Sequence, residues 1–158
     1  MNSETEFAEA AKRLRNAERV VILSGAGISA ESGIPTFRDR LTGFWQHYDP
    51  MQLATAAAFR QDPRLVWGWY QWRRSMLART HPNAAHRAVA ALANRVQDLT
   101  VITQNVDDLH ERAGSHDVIH LHGELNRPRC FACARIYDGT DPEAIDDFGS
   151  PLEPPRCF

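Results

Sequence analysis

The chain has 158 residues, of which 43% are apolar and 24% are charged, and its formal net charge is −2. This near-neutral charge argues against a nucleic-acid-binding module that relies on a broad basic surface, and the apolar runs fall short of the roughly 20 residues that a membrane helix needs. The acidic, amphipathic start of the sequence resembles neither a secretory signal nor a transit peptide. We therefore expect one domain of ordinary size, cytoplasmic and monomeric, without nucleic-acid or membrane partners.

A helix and a strand are predicted before the first glycine-rich segment. Ser3 and Glu6 have the spacing of a capping box, and apolar residues recur at helical period over residues 3–17. The run of branched apolar residues from Arg19 to Leu23 is typical of a parallel strand that is buried on both faces.

The pattern Gly25-x-Gly27-x-x-Ala30 follows this strand directly. Such a loop favours dinucleotide binding, because small residues let the backbone approach a pyrophosphate and free amide groups can hold it. A plain strand-to-helix turn is the alternative. The acidic residue of a standard dehydrogenase, about 20 positions further on, has no clear counterpart here.

Residues 40–62 are interpreted as loop with short helices, after which Asp62 and Pro63 predict a helix start. An apolar stripe runs along this helix through Leu65, Trp69, Trp72 and Met76. Asn83 is placed to cap the next helix, over 84–95, whose apolar face would carry Ala85, Ala88, Val89 and Leu92.

Two further strands are predicted at 99–103 and 117–123. The alternation of strands and helices indicates an α/β fold, a doubly wound, Rossmann-like parallel sheet, which binds ligands at the carboxyl ends of its strands. The glycine loop, residues 104–108 and residues 120–123 all follow strand ends. We therefore expect these three segments to meet at one edge of the sheet.

The chain contains three cysteines, an odd number that argues against a disulfide framework. Cys130-x-x-Cys133 indicates metal binding or redox chemistry, although no helix start of the thioredoxin type surrounds it. Cys157 stands one residue before the end of the sequence.

Four segments together resemble the signatures of the sirtuin family, in its compact bacterial form. They are GAGISAESGIPTFRD (25–39), TQNVDDLHERAG (103–114), LHGEL (121–125) and the Cys130-x-x-Cys133 pair, in the family's order. The resemblance implies an NAD-dependent protein-lysine deacylase. In that reaction the acyl oxygen of the lysine attacks the ribose carbon of NAD, nicotinamide leaves, and the products are free lysine and O-acyl-ADP-ribose.

The resemblance implies that His122 is the catalytic base that deprotonates a ribose hydroxyl. An imidazole titrates near neutral pH, so it can accept and return a proton in the cell. A hydrogen-bonded histidine at a strand end is the structural alternative, and His120 is the better candidate for that role.

The resemblance assigns NAD binding to the glycine loop, to the segment that follows it and to the turn after the second strand. Gly33–Arg38 would close over nicotinamide and exclude water, with Phe37 shielding the ribose and Arg38 reaching a phosphate. The positions implied are Gly25, Ala26, Gly27, Ile28, Ser29, Ala30, Ser32, Gly33, Ile34, Pro35, Thr36, Phe37, Arg38, Gln104, Asn105, Val106 and Asp107.

Tyr70 and Arg73 match a Tyr-x-x-Arg pair that is present in sirtuins acting on negatively charged acyl groups. They are three residues apart and share a helix face. Arginine can bind a carboxylate through two parallel hydrogen bonds, and tyrosine adds a third donor. The resemblance thus implies desuccinylation or demalonylation beside deacetylation. A surface arginine beside a packed tyrosine is the alternative.

Sirtuins hold one structural zinc with four thiolates, so the resemblance makes Cys130, Cys133 and Cys157 three of four ligands. Sirtuins also continue beyond this length, and we expect a C-terminally truncated chain. Residues 1–126 would form the first part of the NAD-binding domain, with an inserted helical segment at about 40–80, and residues 127–158 would begin the zinc module.

Two other functions stay open at this point. An ADP-ribosyltransferase would share the NAD site but transfer ADP-ribose to a protein. A non-catalytic fragment that binds metal or a partner would suit a truncated chain.

Overall fold

The computed structural model describes residues 3–34, 47–137 and 151–157. Ten elements are defined within them. In chain order they are α1 (Ser3–Asn16), β1 (Arg19–Ser24), α2 (Ala26–Ala30), α3 (Pro50–Leu53), α4 (Ala56–Gln61), α5 (Pro63–Ala78), α6 (Ala84–Leu92), β2 (Asp98–Thr103), α7 (Leu109–Arg112) and β3 (Ile119–His120). None of these helices combines the length and the apolar character that a membrane crossing requires.

The chain forms two compact units. The first joins the chain up to Glu31 to His81–Gly123, and the second joins Ser32–Thr80 to the chain from Glu124 onward. The predicted domain boundaries, at 126/127 with an insertion at about 40–80, stay a prediction.

The first unit contains a three-stranded parallel sheet in the order β1-β2-β3. In register, Arg19 lies opposite Asp98 and Ser24 opposite Thr103, and β3 pairs through Ile119 with Ile102. Helices lie between the strands along the chain. The predicted α/β class with a parallel sheet is confirmed.

The prediction that β1 is buried on both faces is wrong for the described residues. Val20 and Ser24 are 8% exposed, whereas Val21 and Leu23, on the other face, are 60% and 65% exposed. Side chains alternate between the two faces of a strand, and in the described part of the chain only the face of Val20 and Ser24 is covered.

Element boundaries also differ from the sequence-based expectation. The strand predicted over 117–123 is reduced to Ile119–His120, because Asp117 (φ 53°) and Gly123 (φ 76°) adopt the left-handed conformation, which ends pairing on either side. The helix predicted to reach residue 95 ends at Leu92. Its predicted apolar face is also incorrect in part, since Ala85 and Ala88 are exposed and His86 is the buried side chain.

The second unit is built on helices α3–α5, each begun by a side-chain cap. Asp49, Thr55 and Asp62 accept hydrogen bonds from Met51, Ala58 and Leu65 backbone N–H groups respectively. The buried core of these helices contains Leu53, Val66, Trp69 and Trp72, with Leu65 and Met76 packed against it. The predicted cap at Asp62 and the predicted stripe along α5 are confirmed.

The cysteine-containing segment belongs to the second unit and packs on its helices. Arg129 and Ile136 form an antiparallel bridge, which closes a tight hairpin around Cys130 and Cys133. The Phe131 ring lies 5.0 Å from that of Phe59, and Tyr137 meets Trp67 edge to face at 6.4 Å. Aromatic contacts of this kind anchor a hairpin that has little apolar surface of its own.

Candidate functional site

The carboxyl ends of the three strands meet at one edge of the sheet, as predicted. The backbone N–H of Gln104 donates to the Ser24 carbonyl at 3.0 Å, and that of Leu121 donates to the Thr103 carbonyl at 2.9 Å. These bonds continue the sheet pairing one residue beyond the strands. They bring the turns that start at residues 25, 104 and 121 side by side.

The glycine turn forms an open surface at this edge. Gly25 is the N-cap of α2, and the Ile28 N–H donates to the Gly25 carbonyl at 3.1 Å. A Cβ atom added at Gly25 or Gly27 would meet no atom within 4 Å. The backbone here is therefore free to be approached closely by a ligand.

A buried set of polar side chains holds this turn against the end of β2. The Asn105 amide Nδ2 donates to the Gly25 carbonyl and to Ser29 Oγ, both at 3.1 Å. Ser29 Oγ in turn donates to Asp107 Oδ2 at 2.9 Å, and Asp107 Oδ1 accepts from the Leu109 N–H at 3.2 Å. We name these four residues, Gly25, Ser29, Asn105 and Asp107, the polar brace.

A second buried chain of hydrogen bonds lies below the brace. Ser24 Oγ donates to Thr103 Oγ1 at 2.9 Å, and Thr103 Oγ1 also accepts from the Asn105 N–H at 3.0 Å. His110 Nε2 lies 2.9 Å from Ser24 Oγ. Because the Ser24 proton is given to Thr103, His110 Nε2 must be the donor in this contact, and its Nδ1 carries the lone pair.

His86 completes this layer from α6. Its Nδ1 accepts from the Asn83 N–H at 3.3 Å, while the Asn83 side chain caps α6 as predicted and donates through Nδ2 to the Ile28 carbonyl at 2.6 Å. The His86 and His110 rings stack edge to face at 5.1 Å, and they are 0% and 1% exposed. Burial lowers the pKa of both imidazoles.

Two histidines, His120 at the end of β3 and His122 in the LHGEL segment, contact the turn after β2. His122 is exposed, and its Nδ1 lies 3.0 Å from the Gln104 carbonyl oxygen. His120 Nδ1 lies 3.0 Å from the Asn105 carbonyl oxygen, and its Nε2 lies 2.8 Å from Glu111 Oε1. The expectation that His120 is the hydrogen-bonded strand-end histidine is confirmed.

Each of the other described positions that the sequence predicts for NAD binding belongs to one unit or the other. Ala26, Ile28 and Ala30 are on α2, and Val106 lies half-buried in the turn after β2. Ser32, Gly33 and Ile34 belong to the second unit. Four predicted positions, Pro35, Thr36, Phe37 and Arg38, lie outside the described residues.

Tyr70 and Arg73 lie together on α5 in the second unit. The Arg73 guanidinium lies over the Trp69 ring at 5.0 Å, and the Trp69 and Tyr70 rings are 4.8 Å apart. Burial raises the pKa of Tyr70, and the positive charge of Arg73 counteracts part of this rise. The tyrosine therefore stays protonated at neutral pH as a hydrogen-bond donor, and a cation lies within electrostatic range of it.

The three cysteines form a cluster whose sulfur atoms all lie within 4.8 Å of one another, with Cys133 and Cys157 sulfurs 3.6 Å apart. Two thiolates on a tetrahedral zinc, at about 2.3 Å each, are separated by about 3.8 Å. Hydrogen bonds, first from the Cys133 backbone, lower the pKa of Cys130 to about 7. Sharing of protons with Cys133 and Cys130 raises the pKa of Cys157 to about 11. The three sulfur atoms are thus close enough to bind one cation, which would displace their protons, and the donor set fits zinc.

Sequence reasoning missed several residues of this site. They are Ser24, His86, Thr103, His110 and Glu111. One signal was available, because Asn83 and His86 have the N-cap and N3 spacing of a capping box. No sequence pattern pairs Glu111 with His120, because the two residues become neighbours only when β3 pairs with β2.

Comparison with known proteins identifies relatives. A model described as the Sir2 family matches residues 25–157. NAD-dependent protein deacylase 1 of Pseudomonas aeruginosa is 59% identical over 145 residues, which are 91% of this chain and 58% of that protein. NAD-dependent protein deacylase of Methylococcus capsulatus is 57% identical over 147 residues, 91% of this chain and 57% of that protein. The chain therefore spans somewhat more than half the length of these relatives.

Solved structures give the same result for the fold. A crystal structure of a Sir2 homologue in complex with NAD superimposes with a TM-score of 0.77 at 44% identity, covering 93% of this chain and 59% of that one. A Sir2 protein bound to a myristoylated histone peptide has a TM-score of 0.61 at 34% identity, covering 85% and 49%. The Rossmann-like character of the sheet is thereby confirmed.

Proposed function

Because the chain belongs to the Sir2 family, we propose that the protein is an NAD-dependent protein-lysine deacylase that consumes NAD as a co-substrate. Relatives that are 59% and 57% identical to it over the matched residues are named NAD-dependent protein deacylases, and a structural relative is an NAD complex. NAD would supply the ribose carbon that receives the acyl oxygen when nicotinamide leaves.

The orientation of His122 is the observation that carries this proposal. A carbonyl oxygen can only accept, so the contact with the Gln104 carbonyl places the proton of a neutral ring on Nδ1. Nε2 then holds the lone pair on an exposed side chain. A nitrogen in this state can take a proton from a ribose hydroxyl, which is the task of the base in this reaction.

The polar brace would give the nucleotide a fixed surface. Its hydrogen bonds join Gly25 and Ser29 to Asn105 and Asp107, and the open space at Gly25 and Gly27 leaves the backbone accessible. A surface that is already ordered before binding does not have to be ordered by the ligand. This supports assigning NAD phosphate and ribose contacts to this turn.

His122→Ala tests the proposal. Removal of a general base typically costs about 10²- to 10⁴-fold in rate, so the variant should release acyl groups from an acyl-lysine peptide at least about 100-fold more slowly. The products are followed by mass spectrometry, with O-acyl-ADP-ribose as the expected one. His116→Ala, at an exposed histidine, is the matched control and should keep normal turnover.

Three results would contradict the proposal. Unchanged turnover of His122→Ala would remove the base assignment. ADP-ribose attached to a protein, with no O-acyl-ADP-ribose, would indicate a transferase. Absence of NAD binding at millimolar concentration would indicate a non-catalytic module.

We further propose that Tyr70 and Arg73 select acidic acyl groups such as succinyl and malonyl. The Tyr70 hydroxyl is a hydrogen-bond donor at neutral pH, as a phenol ordinarily is, and burial raises its pKa further. Contact with the Trp69 face restricts Arg73, and a restricted guanidinium loses less entropy when it binds a carboxylate. An acetyl group offers no charge for this pair.

We also propose that Cys130, Cys133 and Cys157 are ligands of one structural zinc ion. Three thiolates leave one position of a tetrahedral site to another ligand. The ion would hold the hairpin to the segment around Cys157, and a structural zinc ion of this kind contributes folding energy.

A further inference from the structure

His120 is held at both of its ring nitrogens. Nδ1 lies 3.0 Å from the backbone oxygen of Asn105, and Nε2 lies 2.8 Å from Oε1 of Glu111. The imidazole is only 7% exposed, while the Glu111 side chain is 38% exposed. The ring cannot turn without breaking both contacts.

The two partners fix the charge of this ring. A carbonyl oxygen has no proton to give, and the carboxylate of an ion pair only accepts. Each nitrogen must therefore carry a proton, and a ring with two N–H groups is an imidazolium. A neutral ring has one N–H and would lose one of the two contacts.

Two titratable groups of α7 face this ring. Glu111 is its salt-bridge partner, and an opposite charge at this distance favours the charged form of histidine. His110 lies close enough for the positive charge of His120 to lower its pKa, in addition to the larger effect of burial. The neutral, buried His110 and the charged His120 are thus compatible neighbours.

The contact with Asn105 connects this ion pair to the polar brace. The carbonyl of Asn105 accepts from His120, while the side chain of the same residue holds the Gly25 carbonyl and Ser29 Oγ. Both the main chain and the side chain of Asn105 are thereby fixed. A shift of its main chain would move the amide that orients the glycine turn.

We propose that His120 is a positioning residue that acts as an imidazolium, clamped between Glu111 and the Asn105 carbonyl so that the turn 104–107 stays against the glycine turn. The part played in NAD binding rests on the proposed function, whereas the charge state of the ring does not. The pair of His120 and Glu111 is named the imidazolium clamp.

Nuclear magnetic resonance of the histidine rings tests the charge state directly. Long-range ¹H–¹⁵N spectra distinguish a doubly protonated ring from a neutral one, and loss of a signal in His120→Gln assigns it among the seven histidines. At pH 7.5 His120 should be doubly protonated. The exposed His81 and His116 give reference signals in the same spectra.

Glu111→Gln should convert His120 to a neutral ring at pH 7.5, since glutamine supplies no charge. Glu9→Gln, at an exposed glutamate of α1, is the matched control and should leave the ring doubly protonated. A neutral His120 in the unsubstituted protein would overturn the proposal. So would an imidazolium that persists unchanged in Glu111→Gln.

Kinetics tests the positioning role. A hydrogen bond from a charged donor contributes about 1.5–3 kcal/mol, so His120→Gln should raise KM for NAD about 10- to 100-fold with kcat within about 3-fold. In Glu111→Gln the neutral ring can still donate through Nδ1 to the Asn105 carbonyl, so KM for NAD should rise less than in His120→Gln. An equal fold-change of kcat and KM in His120→Gln, or a KM in His120→Gln no higher than in Glu111→Gln, would refute this role. Inactivity of every form, the unsubstituted protein included, would contradict the deacylase proposal, and the charge state would still be decided by the spectra.

Discussion

The buried histidines His86 and His110 should make the protein unstable in mild acid. Both rings are neutral in the folded state, and burial lowers the pKa of each. Unfolding returns them to a pKa near 6.5, so the unfolded chain binds more protons than the folded one below that pH. The stability that this pair contributes is therefore fully present above pH 6.5 and is lost as the pH falls below it.

The size of this loss follows from the number of protons taken up. Each histidine that becomes protonated only on unfolding lowers the free energy of unfolding by about 1.4 kcal/mol per pH unit. Summed over the range from pH 6.5 to 5.0, the pair removes at most about 3 kcal/mol, the limit reached when neither folded ring binds a proton in this range. A domain with about 5–15 kcal/mol in total would lose a large share of its stability. Carboxylates titrate near pH 4 and add little in this range.

Urea unfolding at pH 7.5, 6.5, 5.5 and 5.0 measures the effect. The slope of the free energy of unfolding against pH reports proton uptake. A free energy at one pH would also include any packing that the variant loses. His86→Gln with His110→Gln should flatten the slope between pH 6.5 and 5.0, and His116→Gln, at an exposed histidine, should leave it unchanged. An equally steep slope in the double variant would refute the assignment of these rings as the buried neutral groups.

Two predictions test the second unit. Arg73→Met should raise KM for a succinyl-lysine peptide about 10- to 100-fold, because a charge-assisted contact of about 1.5–3 kcal/mol is lost, and should leave KM for an acetyl-lysine peptide nearly unchanged. Arg74→Met is its control, since Arg74 bonds to Gln71 on the same helix, and equal effects on both peptides would remove the specificity proposal. Metal analysis should find one zinc ion per chain, and Cys133→Ser should lose it, with near-ultraviolet circular dichroism reporting the loosened contacts of Phe131 and Tyr137. Full zinc content in Cys133→Ser would contradict the proposed ligand set.

Local chemistry made a large part of the fold predictable from the sequence. Asp62 and Asn83 cap α5 and α6 as expected, because a short polar side chain just before an apolar stripe can accept hydrogen bonds from the free N–H groups of the first turn. The meeting of residues 25, 104 and 121 at one edge followed from the parallel arrangement of the strands alone. These inferences needed only neighbouring residues or the direction of the chain.

The errors concern features that depend on distant segments. The run Arg19–Leu23 is apolar on both faces, yet Val21 and Leu23 are 60% and 65% exposed, because burial depends on what packs against a strand and not on the strand itself. The sequence predicts that Asp117 belongs to a strand, although its φ of 53° is not compatible with strand pairing. His110 and Ser24 are 86 positions apart in the sequence, and no local pattern indicates such a contact.

The site also explains why so many polar side chains are buried under an exposed turn. A buried polar group costs free energy unless it is paired, and here Ser24, Thr103 and Asn105 form one continuous chain of donors and acceptors. Within the described residues this series of hydrogen bonds ends at two unpaired ring nitrogens, His110 Nδ1 and His86 Nε2. Their tautomers make the first an acceptor and the second a donor, in rings 5.1 Å apart. The two rings are already in edge-to-face contact, so these nitrogens can pair only if one ring turns. Since Asn83, the N-cap of α6, donates to the Ile28 carbonyl of α2, this end of α6 holds the glycine turn at Ile28, while the imidazolium clamp holds it at Gly25 through Asn105.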